Sequence, residues 1–449
     1  MRTTVTGTRQ HRLSMAWRAA LYLLLVLSPL AADAVSGSAG GGEILRRVGL
    51  AMGLTGFAML SLQPFLSCRF KWFERPFGLD RLLGVHRVTG VIAALLVTAH
   101  PVFLALSSGS ARLLLSFDLP WFLLAAKATL AVLLLFGLAA LFHSSFRIPF
   151  QWWFRGHSWL TPVILAGIFL HSYTAAVRYQ PQAIRIVWFA LAGIGVFSYF
   201  HLTVYRRLGG RVRPWTVKKV DAASHDVWNI VLAPPDGREV FDYLPGQFLF
   251  VTLLRGRGLP VEEHPFSISS SPSRQGSISI TTKESGDYTR TMGSTMEGDR
   301  AAIMAPYGRF SHLLHRERSR CVFIAGGIGI TPLMSMLRHM RDTGSKREVL
   351  LLYACRTEGD IVFREELDEM SAADSCPGLT VVHILSRPDE SWEGETGYID
   401  RDKMERLAGG VSDTAFYICG PPPMMEMVED MLTDMGAGKD DLHMERFSL

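Results

Sequence analysis

The sequence predicts a multi-domain fold: a bundle of six transmembrane helices, then an antiparallel β-barrel, then a doubly wound α/β domain. Three observations predict it. Long apolar runs lie almost entirely within residues 1–212. Short β-type runs alternate with turn residues over 213–314. Over 315–449, strands that end in glycine-rich turns alternate with helical segments. These three ranges are the predicted domains.

Charge divides the chain in the same way. The first 212 residues hold 20 Lys and Arg against 5 Asp and Glu, and the remainder holds 26 against 36. Since the basic residues lie beside and between apolar runs, they indicate cytoplasmic loops of a membrane protein and not a nucleic-acid surface. The five cysteines show no CxxC spacing, which disfavours disulfides and an iron–sulfur cluster.

Six segments have the roughly 20 mostly apolar residues that a spanning helix needs. They are 16–34, 48–66, 84–106, 119–142, 159–178 and 183–205. With six crossings, nearly all the Lys and Arg clusters between them fall on one side, which places both chain ends in the cytoplasm. Arg46 and Arg47 are the main exception. The first segment also resembles a cleaved signal peptide, and we favour a retained helix.

Two histidine pairs lie inside the predicted helices. His86 and His100 lie on the third segment, and His157 and His171 lie on the fifth, with the members of each pair 14 positions apart. Fourteen positions fall about 40° short of four helical turns, so each pair shares one helix face, with its members about 21 Å apart. Matched pairs predict two bis-histidine sites stacked across the membrane, as axial ligation of two b-type haems requires. Hydrogen bonding between helices is the alternative, and the equal spacing makes it the weaker one.

Three further polar residues lie in or near the apolar segments. Lys127 lies within the fourth segment, where a charge is costly. It is either a partner for a haem propionate or an anionic acceptor, or a side chain that extends to the membrane surface. His143 and His201 have no partner at a matching spacing, and we interpret them as interfacial residues.

A glycine-rich turn follows the first strand of the α/β region. It contains Gly326, Gly327 and Gly329, and a helix is predicted to begin near Thr331 and Pro332. Glycines let the backbone approach a pyrophosphate, and the N-terminus of the helix attracts its charge. Proline suits the first turn of such a helix.

A second turn, Cys419-Gly420-Pro421, follows the last predicted strand and also leads into a helix. Parallel strands present their carboxyl ends at one edge of the sheet, where ligands bind. Together the two turns predict a nicotinamide dinucleotide site. In the β region, the run His264-Pro265-Phe266-Ser267 places an aromatic residue beside a small hydroxyl, a pair that can flank a flavin ring.

Taken in order, these motifs resemble a known family. Residues 214–449 resemble the ferredoxin–NADP reductase-like module, and residues 44–205 resemble the ferric reductase-like transmembrane domain that NADPH oxidases share. The module's motifs are PGQF at 245–248, HPFSISS at 264–270, TTKESGDYT at 281–289, APYGRF at 305–310, GGIGITP at 326–332 and CGPPPM at 419–424. Ala305 stands where the family has glycine.

The resemblance implies roles for individual residues. His264, Pro265, Phe266 and Ser267 would bind the flavin of FAD. Lys283 and Thr289 would lie near the FAD phosphates, with Gly286 shaping that loop, and Gly326 to Pro332 would hold the dinucleotide pyrophosphate. Cys419, Gly420 and Pro421 would lie against the nicotinamide. Phe447 matches the aromatic residue that covers the flavin, although Ser448 and Leu449 follow it. The catalytic positions would be Ser267, Cys419 and Phe447.

The resemblance also implies the reaction. NAD(P)H would pass a hydride to FAD in the cytoplasm, and single electrons would cross a bacterial inner membrane through an inner haem, held by His86 and His157, and an outer haem, held by His100 and His171. The expected acceptor is ferric iron or oxygen, and the alternative is a subunit that reduces a partner protein or quinone. Arg356 would favour NADPH by pairing with its 2′-phosphate, and Glu358 would oppose it.

Overall fold

The computed structural model describes residues 8–35, 44–142, 145, 150–175, 177–205, 213–315, 318–372 and 378–446. Within these ranges the chain forms two compact units. One unit holds eight α-helices, and the other holds all of the β-strands that the structure describes. Long apolar runs give the helices of the first unit, and shorter runs between turn residues give the strands of the second.

Six long helices and two short ones form the helical unit. They are α1 (Thr8–Val35), α2 (Ile44–Ser67), α3 (Lys71–Phe77), α4 (Leu79–Ser107), α5 (Arg112–Leu115), α6 (Trp121–Phe142), α7 (Phe150–Ala175) and α8 (Gln182–Phe200). A turn of π-helix, His201–Tyr205, continues α8. Prolines lie inside α1, α2, α4 and α7. A membrane bundle tolerates them because neighbouring helices and hydroxyl side chains satisfy the backbone groups that proline leaves unpaired.

Five of these helices are long and apolar enough to cross a membrane. They are α1, α2, α4, α6 and α8 with its π turn. In the described part of the chain, α7 is long but does not reach the same mean hydropathy. Its sequence includes Gln151, Arg155, His157 and His171, and polar residues lower the hydropathy of a helix that faces a bundle interior. Length and composition therefore support five of the six predicted spans.

Helix α2 is the most deeply buried of the five apolar helices. Glycines let it approach its neighbours. A Cβ at Gly56 would lie 2.6 Å from Cγ1 of Val97 on α4, and a Cβ at Gly195 of α8 would lie 2.6 Å from the carbonyl oxygen of Ser61. Small residues at helix contacts are the usual means of close packing in membrane bundles. The centre of the helical unit is therefore α2, with α4 and α8 against it.

An antiparallel sheet forms the first part of the second unit. Its strands are β1 (Trp215–Ser224), β2 (Val227–Ala233), β3 (Phe248–Leu254), β4 (Glu263–Ser267), β5 (Ile278–Lys283) and β6 (Arg300–Tyr307), in the order β4-β3-β6-β1-β2-β5. One bridge joins Ile268, just after β4, to Ile280 in β5, so the two edge strands approach each other. The sheet fits the predicted β domain, and its closure into a barrel stays a prediction.

A parallel sheet forms the rest of the second unit. Its strands are β7 (Arg320–Gly326), β8 (Glu348–Cys355), β9 (Leu379–Leu385), β10 (Glu395–Thr396), β11 (Thr414–Cys419) and β12 (Leu442–Glu445), in the order β10-β9-β8-β7-β11-β12. Helices α9 (Ile330–Asp342), α10 (Arg364–Ala372), α11 (Arg401–Ala408) and α12 (Pro422–Asp434) connect them.

The strand order of the parallel sheet reverses at β7. The chain adds β8, β9 and β10 on one side of β7, and then returns to add β11 and β12 on the other side. In such sheets, ligands bind outside the carboxyl ends of the strands at the point of reversal. The ends of β7 and β11 flank that point, and both predicted glycine turns lie there. The predicted domain limits at 212 and 314 stay predictions.

Candidate functional site

The four predicted ligand histidines come together as two pairs, each with one member from α4 and one from α7. The ring centres of His86 and His157 are 6.0 Å apart. His171 lies close enough to His100 for their charges to interact. Two imidazoles that bind one metal ion through nitrogens at roughly 2 Å hold their ring centres about 6 Å apart. The first pair therefore has the spacing that shared ligation of one iron requires.

Main-chain carbonyls of α2 orient both α4 histidines. Nδ1 of His100 lies 2.7 Å from the carbonyl oxygen of Gly49, and Nδ1 of His86 lies 3.2 Å from that of Gln63. Because a carbonyl only accepts, each of these contacts favours the tautomer in which Nδ1 carries the proton and the lone pair of Nε2 is available to a metal. Metal-bound histidines usually have this support from a carbonyl or carboxylate. The residues present thus fit axial ligation of haem.

The side chain of Gln63 reaches the same nitrogen of His86. One atom of its amide lies 2.8 Å from Nδ1, and the other lies 3.0 Å from Oγ1 of Thr89. The other contacts of the amide favour the orientation in which its nitrogen donates to Nδ1 and to the carbonyl oxygen of His86, at 2.8 Å and 3.1 Å, while its oxygen accepts from Oγ1 of Thr89 and the backbone N–H of Gly90. The orientation of this amide is therefore coupled to the tautomer of His86.

The ring of His157 lies among aromatic side chains. The ring centre of Phe136 on α6 is 4.9 Å away, and that of Trp153 is 5.5 Å away. Nδ1 of His157 is buried and has no hydrogen-bond partner among the described residues. Leaving a buried nitrogen unpaired is costly, and structural histidines between helices avoid it. With Nδ1 unpaired in the described structure, His157 does not match the alternative interpretation of a hydrogen bond between helices through that atom.

Lys127 contacts the connection between α4 and α6. Its Nζ donates to the carbonyl oxygens of Leu114, at 3.0 Å, and Ser116, at 2.7 Å. The same atom lies 5.4 Å from the ring centre of Phe117. The side chain thus extends from the middle of the helix toward its N-terminal end, as a lysine that reaches for the membrane surface does.

Strand β4 holds the predicted flavin-binding run. His264 stacks on Tyr288 with ring centres 3.9 Å apart, and its Nε2 lies 3.1 Å from a carboxylate oxygen of Glu262. Pro265 and Phe266 are half-buried in the same strand. Oγ of Ser267 is buried and lacks a hydrogen-bond partner in the described ranges. A buried hydroxyl without a partner is unfavourable, so this atom fits a polar group of a bound flavin.

The loop after β5 holds the residues expected near the FAD phosphates. Oγ1 of Thr289 accepts from the backbone N–H groups of Ser285, at 2.8 Å, and Gly286, at 3.0 Å, and so shapes the loop. Nζ of Lys283 instead lies between two carboxylates, 3.1 Å from Asp226 and 3.5 Å from Asp360. Burial opposes ionisation of Asp360, but hydrogen bonds from Thr357 and the charge of Lys283 hold its pKa below the usual value.

The two glycine turns at the switch point contact each other. A Cβ at Gly329 would lie 2.2 Å from the carbonyl oxygen of Cys419, and a Cβ at Gly420 would lie 3.1 Å from Cα of Gly326. Gly327 has a φ of +52°, in the left-handed region. Only glycine allows this approach of two backbones. The result is a concave edge of main chain beside the N-terminal ends of α9 and α12, which suits a pyrophosphate.

The remaining nucleotide candidates lie around these turns. Thr331 and Pro332 are buried in the first turn of α9, and the Thr331 hydroxyl donates to the carbonyl oxygen of Ile328 at 3.0 Å. Pro421 immediately precedes α12 and is exposed. Arg356 is exposed just after β8. Nearby, Glu358 is paired with Arg364, which offsets the negative charge that would oppose a 2′-phosphate.

The buried carboxylate of Glu445 lies beside Cys419, and it was not predicted from the sequence. Glu445 ends β12 opposite Cys419 in the strand register, and only 7% of it is exposed. Its Oε2 would lie 3.7 Å from a Cβ at Gly308, so it faces the β domain as well. Burial, and then the charge of Glu445, raise the pKa of the Cys419 thiol. The only signal in the sequence is one acidic residue at the end of an apolar strand.

Phe447, the residue predicted to cover the flavin, lies outside the described residues.

Three families match successive parts of the chain. The ferric reductase-like transmembrane component matches residues 52–168, an FAD-binding domain matches 213–318, and an oxidoreductase NAD-binding domain matches 323–430. The chain joins a ferric reductase-like transmembrane domain to an FAD-binding and an NAD-binding domain. Both histidines of α4 and His157 lie within the ferric reductase-like match.

Two curated relatives and one solved structure show the extent of the likeness. The chain is 28% identical to a flavohemoprotein of Bordetella pertussis over 244 residues, 52% of this chain and 60% of that protein. It is 32% identical to the glycine betaine monooxygenase reductase subunit of Pseudomonas aeruginosa over 212 residues, 46% of this chain and 57% of that protein. The chain thus spans less than two thirds of either relative. The flavohem-like FAD/NAD-binding domain of a nitric oxide dioxygenase from Vibrio cholerae is 26% identical, with a TM-score of 0.47, over 52% of this chain and 98% of that one.

In the NAD-binding domain, replacing Gly329 by alanine is expected to weaken NAD(P)H binding about tenfold, or about 1.4 kcal/mol. The added Cβ would meet the carbonyl oxygen of Cys419 at 2.2 Å and force the two turns apart. Rapid-mixing measurement of flavin reduction against NAD(P)H concentration tests this. Gly359→Ala is the matched control, because a Cβ there meets no atom within 4 Å. Equal affinity in both variants would contradict the expectation.

Proposed function

We propose that this protein carries electrons from cytoplasmic NAD(P)H, by way of FAD and two b-type haems, to ferric iron or oxygen on the far side of a membrane. The observation that supports it most is the facing of His86 and His157, with 6.0 Å between ring centres. His100 and His171 each lie 14 positions further along their helices, so they would repeat that arrangement about 21 Å away. The proposal includes a sixth span, α7, whose polar residues hold the haems.

In the helical unit, His86 and His157 would hold the inner haem, and His100 and His171 would hold the outer one. Bound FAD accepts a hydride and releases electrons singly, and bis-histidine haems pass single electrons without binding a substrate at the iron. The chain's own part would be to hold the histidine rings in position. Carbonyls of Gly49 and Gln63 do so for the α4 histidines. The four histidines would thus supply both imidazole nitrogens that each haem needs.

In the second unit, the residues would bind and align the two substrates of hydride transfer. Ser267 would donate its hydroxyl to the flavin ring, because Oγ is buried and lacks a partner in the described structure. The turns at Gly326 to Gly329 and at Cys419 to Pro421 would hold the nicotinamide dinucleotide at the switch point. Cys419 would lie against the nicotinamide as a neutral thiol, since its pKa is raised by burial and the nearby Glu445.

We infer the direction of electron transfer from the distribution of charge. The helical part of the chain is strongly basic, and most of its Lys and Arg flank the ends that we assign to the cytoplasm. In the proposed orientation, the FAD-binding and NAD-binding domains would lie in the cytoplasm, the membrane would be a bacterial inner membrane, and the His100–His171 pair would lie toward the outside. The names of the curated relatives add only that similar reductase domains occur in bacteria.

A reduced-minus-oxidised spectrum of the purified protein tests the proposal. We expect the α-band of low-spin b-type haem, and pyridine haemochrome analysis is expected to give two haems per chain. Ferric chelate and oxygen are then supplied separately to the NAD(P)H-reduced protein. Rapid haem reoxidation by one of them identifies the acceptor. A spectrum without haem would overturn the proposal, and haem that neither acceptor reoxidises would point to a partner protein or quinone.

Coenzyme preference offers a separate test at Arg356. Replacing Arg356 by glutamine is expected to raise the KM for NADPH about tenfold or more and to leave that for NADH nearly unchanged. A charge-assisted hydrogen bond to a 2′-phosphate contributes about 1.5–3 kcal/mol, and NADH lacks that phosphate. Arg401→Gln is the control, because that exposed arginine of α11 pairs with Glu405. Equal effects on both coenzymes would show that Arg356 does not read the phosphate.

A further inference from the structure

We propose that α2, which carries no histidine, is the helix that positions both haem ligands of α4, and that Gly53 is the residue that admits His100. This inference rests on the proposed haem ligation. Gly49 and Gln63 of α2 supply the two carbonyl oxygens that face Nδ1 of His100 and His86, at 2.7 Å and 3.2 Å. No ligand motif of the sequence includes either residue.

The spacing of the two helices matches. Gly49 and Gln63 are 14 positions apart, as are His86 and His100, and the pairing is antiparallel, with 49 opposite 100 and 63 opposite 86. Fourteen positions bring a helix back to nearly the same face, about 21 Å further along. The carbonyls of α2 therefore repeat at the interval that separates the ligands of α4. Because two contacts share this interval, we infer that α2 positions both histidines of α4.

Each carbonyl can accept the extra bond because it has a second lone pair. In an α-helix the first lone pair accepts the N–H four residues on, and the second remains available. An imidazole that donates Nδ1–H to this oxygen presents Nε2 to the metal and gains basicity. Through this bond, a residue that never touches the iron affects the strength of the axial ligand, and so the reduction potential.

Gly53 makes the shorter of these bonds possible. A Cβ at residue 53 would lie 2.6 Å from Nδ1 and 2.9 Å from Cε1 of His100, closer than side-chain carbons approach other atoms. Gly53 lies one turn beyond Gly49, so the ring of His100 passes over it to reach the Gly49 carbonyl. Any other residue at 53 would displace the ring from its acceptor. The glycine therefore positions the ligand of the outer haem.

The chain offers a matched control for packing. Gly56 lies on the same helix and faces the same neighbour, and a Cβ there would lie 2.6 Å from Cγ1 of Val97. Gly56→Ala and Gly53→Ala thus add the same atom, with the same overlap, to the same helix contact. Only Gly53→Ala touches a histidine. Any effect common to both variants reports packing of α2 on α4, and an effect confined to Gly53→Ala reports the ligand.

The test is potentiometric titration of wild type, Gly53→Ala and Gly56→Ala, followed by the haem spectrum and by electron paramagnetic resonance of the ferric state. Wild type is expected to show two haem midpoints. Gly53→Ala is expected to lose the outer haem or to raise only its midpoint, because loss of the Nδ1–H bond makes His100 a weaker donor to ferric iron. Gly56→Ala is expected to keep both midpoints.

Two outcomes would overturn the inference. In one, Gly53→Ala keeps both wild-type midpoints and ferric signals; in the other, both variants change both haems alike. If Gly53→Ala does not fold, an infrared redox difference spectrum of the wild-type protein with labelled histidine replaces that variant as the test. The inference requires this spectrum to show a histidine Nδ1–H group that donates to a carbonyl oxygen, and its absence would contradict the inference. A wild-type protein without haem would instead contradict the proposed function. Failure of the proposed function can therefore be distinguished from failure of the inference about α2.

Discussion

Replacing His157 by alanine is expected to leave one haem per chain instead of two and to stop reduction of the far-side acceptor. His157 faces His86 at 6.0 Å between ring centres, and alanine provides no second axial nitrogen. Loss of a supporting residue at a metal site costs about 10–100-fold in affinity or activity, and loss of a ligand itself costs more. We therefore expect reduction of ferric chelate or oxygen to fall by more than about a hundredfold. Pyridine haemochrome analysis and turnover measure the two effects.

The expectation is specific because flavin reduction is measured in the same sample. Rapid mixing of His157→Ala with NAD(P)H is expected to reduce FAD at the wild-type rate, since the histidine lies in the helical unit. His201→Ala is the matched control. His201 is a histidine of the same unit, but its ring packs on Phe70, with centres 4.6 Å apart, outside the two pairs. Loss of haem in both variants, or in neither, would refute the assignment of His157 as a ligand.

Replacing Ser267 by alanine is expected to slow hydride transfer from NAD(P)H to FAD by about a hundredfold. The Ser267 hydroxyl is buried without a partner, on the strand that carries the predicted flavin run. A preorganised donor aimed at a reacting group contributes about 2.7–4 kcal/mol to the transition state, which corresponds to 10²–10³ in rate. Rapid-mixing absorbance of the flavin, with NAD(P)H and its 4-deuterated form, measures the step. The isotope effect should persist in the variant if hydride transfer itself has slowed.

Ser269→Ala separates a catalytic role from a structural one. Ser269 is also buried, two residues further along, but its hydroxyl lies 3.2 Å from the carbonyl oxygen of Ser279 and 2.9 Å from Oγ1 of Thr281. Its loss is expected to lower the free energy of unfolding by about 1 kcal/mol and to leave hydride transfer unchanged. If Ser269→Ala slows flavin reduction as much as Ser267→Ala does, the predicted role of the Ser267 hydroxyl in hydride transfer is contradicted.

The two variants act on different steps of the proposed electron path, which makes them informative together. Ser267→Ala should slow the reduction of the flavin and leave haem content intact. His157→Ala should do the reverse. A double variant is then expected to show both defects without further loss, because the two residues lie in separate units and share no partner.

The candidate haem ligands and the candidate nucleotide turns are visible in the sequence because both patterns depend on local spacing. A 14-residue spacing within one helix places His86 and His100 on one face whatever surrounds them. In the same way, glycines between a strand and a helix predict close backbone approach at Gly326 to Gly329. Both signals lie within about 15 residues of chain. The families that match the chain confirm the domains that these signals predicted.

Other features depend on contacts between distant segments. Nothing near Lys283 in the sequence indicates that Asp226 and Asp360 lie beside it, and nothing near Glu445 indicates Cys419 or Gly308. For helix α7, the histidine spacing in the sequence indicates more than the hydropathy does. Its polar residues lower its hydropathy, so composition alone leaves it out of the spanning helices, although it carries His157 and His171.

The sequence by itself determined which residues are able to do the chemistry: four histidines at matched spacing, two glycine turns and a flavin-type run. These follow from repeats within single helices and from turns between adjacent elements. Only the tertiary structure decided what holds them in place, namely the α2 carbonyls behind His86 and His100, the glycine that admits His100, and the carboxylate beside Cys419. Main-chain acceptors have no residue signature, and the approach of two segments depends on packing between helices and strands far apart in the chain.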